Sequence, residues 1–165
     1  MSQLQDAVNQ INLARAYSTG LIDAVDPADW FRTPEGTNIH VAWQVGHLAI
    51  AEYHLALARI RGARPEDAAW IPQEFAALFG KGSVPQAAAE KYPSPAEIRE
   101  AFDQTHAQVQ ELTSLPDEIL DEPLEQPHPM FDSKLGALRF CALHEMTHAG
   151  QIGLLRRLFG DDPLR

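Results

Sequence analysis

The chain contains a single cysteine, Cys141, so no internal disulfide can form. It has no apolar run of about 18 residues, so no transmembrane helix is expected. The N-terminal stretch MSQLQDAVNQ lacks the basic-then-apolar order of a secretory signal. Basic residues are also few: 13 Lys and Arg stand against 23 Asp and Glu, a formal charge of −10. Nucleic acid needs a basic face to neutralise phosphates, and an anionic membrane surface needs the same, so neither is expected as a partner. Strand alternation bounded by hairpin turns, internal repeats and low-complexity tracts beyond Ala87-Ala88-Ala89 are all missing. A cytoplasmic protein is the simplest expectation.

What remains is a globular composition, 45% apolar and 22% charged in 165 residues, which suits one domain over residues 1–165 with an ordinary core. Apolar residues recur at helical spacing in four long segments. The first runs from about Ser2 to Val25, followed by an Asp26-Pro27 cap and a short turn through Trp30 and Phe31. The second runs from about Asn38 to Arg61 and stops at Gly62. The third opens on the capping box Ser94-Pro95-Ala96-Glu97 and reaches about Ser114. The fourth runs from about Ser133 to Phe159, with Arg156 and Arg157 in its last turn and Gly160 after it. The proline-rich links 62–93 and 115–132 lie between them, the former with room for one or two short helices. The expected class is all-α, four long helices around one core, with long connections after the second and third.

Seven histidines are present: His40, His47, His54, His106, His128, His144 and His148. His144 and His148 fall one turn apart on one helix face, close enough for both imidazoles to reach one metal at about 2.0–2.1 Å. They share an expected inward stripe with Ala137, Cys141, Gln151 and Leu155. A buried polar group needs a partner, because leaving it unpaired costs roughly 1–3 kcal/mol. The partner can be a metal or a polar group from a neighbouring helix. His47 offers a third imidazole from the second helix, mid-way through the apolar VAWQVGHLAIAEY, with Gly46 beside it to admit another helix. His40, His54, His106 and His128 are not expected to reach the same ion.

The stretch LHEMTHAGQIGLL also contains H-E-x-x-H, the zinc-protease signature. The extended form of that signature fails at Gln151 and Leu154, and no glutamate follows His148 to complete the other form. A third ligand must therefore come from upstream.

The combination of W-x-x-G-H-L-A at Trp43–Ala49 with H-x-x-x-H-x-G-Q-I at His144–Ile152 resembles the DinB/YfiT-like superfamily. That resemblance covers nearly the whole chain. It implies an antiparallel four-helix bundle in up-down-down-up order, commonly a homodimer. It also implies a divalent metal held by three histidines, here His47, His144 and His148. Relatives include thiol-dependent S-transferases and a mycothiol-dependent isomerase, so a small-molecule thiol and an electrophilic substrate are the expected partners. Zinc or nickel is the expected ion, with iron as a further candidate; imidazole ligands do not distinguish them. Three neutral imidazoles leave open positions, the mark of a catalytic rather than a closed site. A dication there acidifies a bound water or thiol.

Glu145 lies outside the superfamily's motif. It can be read as a general base, as an acceptor for a ligand imidazole or as a solvated helix charge, and the last is the expectation. Gln151 is a candidate for orienting a ligand or bound water. Cys141 is expected to be a buried small hydrophobe, and Trp43 to line the core near the site. Two other readings stand beside the transferase: a non-catalytic dimeric helical module with a structural or vestigial metal site, and a metal-dependent hydrolase.

Overall fold

The computed structural model describes residues 2–164. Helix α1 (Gln3–Asp23) starts where Ser2 Oγ accepts the Gln5 N–H at 3.0 Å. It buries Leu4, Ala7, Val8, Ile11, Ala14, Leu21 and Ile22 along one stripe. Asp26 caps the short 3-10 turn Pro27–Asp29, as its Asp-Pro pair predicts. Helix α2 (Val41–Glu52) opens with the buried His40 as its cap, the imidazole Nδ1 accepting the Trp43 N–H at 3.1 Å. A π-helical stretch, Tyr53–Ala58, carries α2 without a break into the last turn, α3 (Arg59–Arg61). Gly62 ends it with a φ of 81°, a conformation that favours glycine.

The connection that follows holds one short α-helix, α4 (Gln73–Phe79), between the 3-10 turns Pro65–Ala69 and Ala89–Lys91. Helix α5 (Pro95–Val109) begins at the expected capping box: Glu97 N–H to Ser94 Oγ at 3.3 Å, and Ser94 N–H to Glu97 Oε2 at 2.8 Å. The 3-10 turn Gln110–Ser114 extends it. Helix α6 (Lys134–Phe159) starts at Ser133 and ends at Gly160, whose φ is 102°. No strand occurs among the described residues; His128 and Phe131 form an isolated bridge.

Contacts between the four long elements give their directions. On α2 and α6, Gln44 meets His148 while Lys134 reaches the Ile60 carbonyl, so these helices are antiparallel. On α1 and α6, Ser18 meets Glu145 and Leu21 lies against Gly153, so these are parallel. On α1 and α5, Asn12 bonds Gln110 and Asp23 pairs with Arg99, so these are antiparallel. The order is up-down-down-up, a four-helix bundle.

The core divides into two apolar clusters. One joins Leu21 and Ile22 to Val45, Leu48, Ile98, Phe102 and Ile152. The other joins Leu4, Val8 and Ile11 to Leu57, Ile60, Leu112 and Leu138. Between them in the chain order of every helix lies a polar layer: Arg15 and Ser18 from α1, Glu52 from α2, Thr105 and His106 from α5, Glu145 from α6. All but His106 are buried. No helix among the described residues is long and apolar enough to cross a membrane.

Candidate metal centre

The local sequence sets each imidazole. His47 lies on the inner half of α2, held between helix faces because Gly46 lacks a side chain. A Cβ at Gly46 would sit 2.5–2.6 Å from ring atoms of Phe79 at the end of α4. The expected close approach is therefore made by α4, and it delivers a second group: the Phe79 carbonyl stands 2.6 Å from His47 Nδ1. That oxygen can only accept, so Nδ1 carries the proton and Nε2 keeps its lone pair. The indole of Trp43 stacks on the His47 ring with centroids 4.7 Å apart and donates its N–H to Ser83 Oγ at 3.1 Å.

His148 repeats the arrangement. Its Nδ1 lies 2.5 Å from Gln44 Oε1, one turn before His47 on α2. An amide oxygen accepts, so His148 also keeps the Nε2 lone pair free. Such partners orient a ligand imidazole and fix its tautomer. His144 follows Phe140, whose ring centroid is 5.9 Å away. Its Nε2 lies 3.4 Å from His47 Nε2. Two nitrogens each about 2.0–2.1 Å from a tetrahedral ion stand roughly 3.4 Å apart, so this spacing fits a shared cation.

One ligand atom from each of His47, His144 and His148 lies within 4.8 Å of the others. The cluster can hold a metal ion. Burial lowers the basicity of all three rings. His148 falls to about 3 through burial and then the neighbouring His144 and His47. His144 falls to about 4 through burial and then His47. His47 falls through burial, partly opposed by its bond to the Phe79 carbonyl. At neutral pH the three offer lone pairs without a competing proton.

The chain belongs to the DinB superfamily. The superfamily's sequence pattern matches residues 10–152, which include both histidine motifs. No curated protein matches the chain.

The other histidines lie elsewhere. His40 caps α2 and its Nε2 contacts the Gln86 carbonyl at 3.1 Å. His106 contacts Glu52 Oε1 at 2.9 Å. His128 stacks on Phe131, centroids 4.1 Å apart. His54 is exposed, at the start of the π-helical stretch Tyr53–Ala58.

Two expectations on α6 need correction. Glu145 is not a solvated charge: it is 1% exposed, its carboxylate held by Arg15 and Ser18 of α1. Burial pushes its carboxyl up, with Arg15 opposing. Gln151 is exposed and Ile152 is buried in its place. The inward stripe runs through Cys141, Glu145, His148 and Ile152, turned part of a residue from the apolar pattern. Its centre is Glu145, which reads as an outward charge until its partner on α1 is known. Cys141 is buried as expected, and its thiol is pushed well above the ordinary range by burial and by Glu52 and Glu145.

Proposed function

We propose that this DinB superfamily protein binds a divalent cation through His47, His144 and His148 and transfers a low-molecular-weight thiol to an electrophile. The observation that carries the reading is the pair of Nδ1 tethers, Phe79 carbonyl to His47 and Gln44 to His148, which leave both Nε2 lone pairs free in a cluster whose ligand atoms lie within 4.8 Å of one another. His47 and His144 are only half-buried, which supports open positions at the ion rather than a closed structural site. A bound cation supplies the charge that acidifies a thiol at neutral pH. The protein's part is to hold three neutral imidazoles, those of His47 and His148 in one tautomer, with Trp43 and Phe140 packed beside them. In the transfer, sulfur bonds to the electrophilic carbon. The leaving group departs with its electron pair, and the thiol proton passes to solvent. The expected ion is zinc or nickel, with iron as a further candidate.

The test is metal analysis of purified protein and of His47→Ala, followed by a thiol screen. Glutathione, bacillithiol and mycothiol are each offered with an electrophile, with and without metal. The expected result is one ion per chain, lost in the variant, and thiol consumption that needs the ion. Equal thiol loss without metal would remove the transferase reading; full metal content in His47→Ala would remove the site. The protein is also proposed to work as a homodimer, through the outer faces of α1 and α6.

A further inference from the structure

The polar layer between the two apolar clusters is unaccounted for by metal binding, and one side chain organises it. Arg15 projects from α1 and touches all three other long helices. Its Nη2 lies 2.5 Å from Glu52 Oε2 on α2 and 3.1 Å from Glu145 Oε2 on α6. Its Nη1 donates to the Phe102 carbonyl on α5 at 2.9 Å, and its guanidinium lies 3.5 Å over the Phe102 ring. Its Nε lies 2.9 Å from Glu145 Oε1. The remaining acceptors are used too. Ser18 Oγ donates to Glu145, and His106 meets Glu52 Oε1 at 2.9 Å. The arginine and both carboxylates are nearly solvent-free.

Stability is a poor reason for such a layer. Desolvating buried charges offsets their attraction, and apolar replacements of similar volume are often neutral or stabilising. What a buried ion network adds to apolar packing is direction, since its hydrogen bonds hold at one distance and angle. Its position says what is being set. Glu145 is next to His144 and one turn before His148; Glu52 follows His47 on α2. The histidines come from two helices that otherwise meet near this level through the single Gln44–His148 hydrogen bond and through apolar side chains, which tolerate small slips and rotations. A metal site does not tolerate them, needing its ligands held within about 0.5 Å and 10–20°.

We propose that Arg15 is the positioning residue of the three-histidine centre. By gripping Glu52 and Glu145 at once, it fixes the rotation of α6 against α2 and so brings His144 and His148 to His47. The inference rests on the metal-binding reading above. Arg15 itself touches neither the histidines nor any ligand of theirs.

Two variants test it, each compared with wild type by helical circular dichroism, thermal unfolding, Zn²⁺ affinity in chelator competition and the visible spectrum with Co²⁺. The first, Arg15→Met with Glu52→Leu and Glu145→Leu, replaces the layer's buried charges by apolar groups. It is expected to keep the helical content and a thermal midpoint at or above wild type. Its Zn²⁺ affinity is expected to fall on the order of tenfold or more, with altered Co²⁺ bands. The second, Arg15→Lys, keeps the charge but cannot fork between two carboxylates. It is expected to show the same loss, and it decides the matter if the triple variant does not fold. A folded variant with wild-type Zn²⁺ affinity and an unchanged Co²⁺ spectrum would overturn the inference. Failure of the wild type itself to bind Zn²⁺ or Co²⁺ would instead overturn the metal reading on which it depends.

Discussion

At the residue scale, two of the three histidines are defined by what binds their far nitrogens. His47 and His148 give their Nδ1 protons to the Phe79 carbonyl and Gln44. Burial and mutual proximity then depress His144 to about 4 and His148 to about 3. Unfolding releases both toward about 6.5. Between these values the unfolded chain binds protons that the metal-free native state does not, so native stability rises with pH across the window. Above it neither state is protonated and the effect vanishes. The metal-free protein should therefore lose thermal stability as pH falls from about 6.5 toward 5, before most carboxylates titrate. His148→Gln keeps a polar partner for Gln44 and removes one titrating group, and should flatten that fall. Thermal midpoints of chelator-treated wild type and variant across this range check it; parallel curves would contradict the depressed values.

At the scale of elements, the site depends on how close α4 comes to α2. Gly46→Ala would put a methyl against the Phe79 ring, which is fully buried and has nowhere to retreat. Such overpacking costs typically 1–3 kcal/mol. The displacement also moves the Phe79 carbonyl from His47, so Zn²⁺ affinity should fall together with the denaturant midpoint. A variant that unfolds earlier yet binds Zn²⁺ as wild type does would show that the carbonyl tether is dispensable. This closeness marks the boundary of what the sequence made legible. The spacing His144-x-x-x-His148 and the glycine before His47 were readable because helical geometry is local. So were the Ser94 cap and the ends at Gly62 and Gly160. Gln44 was not readable as an imidazole partner, since a glutamine on an apolar helix looks the same whether or not another helix brings it a histidine. Nor was the π-helical stretch at Tyr53–Ala58, which departs from α-helical counting. Arg15, Glu52 and Glu145 lie far apart in the chain, and each alone reads as a surface charge. Their burial is a property of the bundle.

At the scale of the molecule, the outer surfaces of α1 and α6 are unlike the rest. These two parallel helices make the most extensive pairing in the bundle. Leu13 and Tyr17 on α1, and Leu143, Met146, Leu154 and Leu158 on α6, are all exposed. Gly20 and Gly150 lie between them with open space above, so a facing helix could approach closely. From Leu13 to Gly20 and from Leu143 to Leu154, no exposed position carries a charge. On a chain with a net charge of −10 that neutrality favours a second copy as the proposed occupant. Two copies repel everywhere except where their charges are absent, and an apolar stripe is complementary to itself across a two-fold axis. A stable interface needs about 800 Å² from each partner, within reach of two helix faces this long. Leu143→Glu with Leu154→Glu should therefore convert a dimer to a monomer in sedimentation at micromolar concentration. Zn²⁺ affinity should be retained, because both side chains are exposed and neither belongs to the histidine cluster. A wild type that sediments as a monomer, or a charged variant that still pairs, would place the contact elsewhere or abolish it.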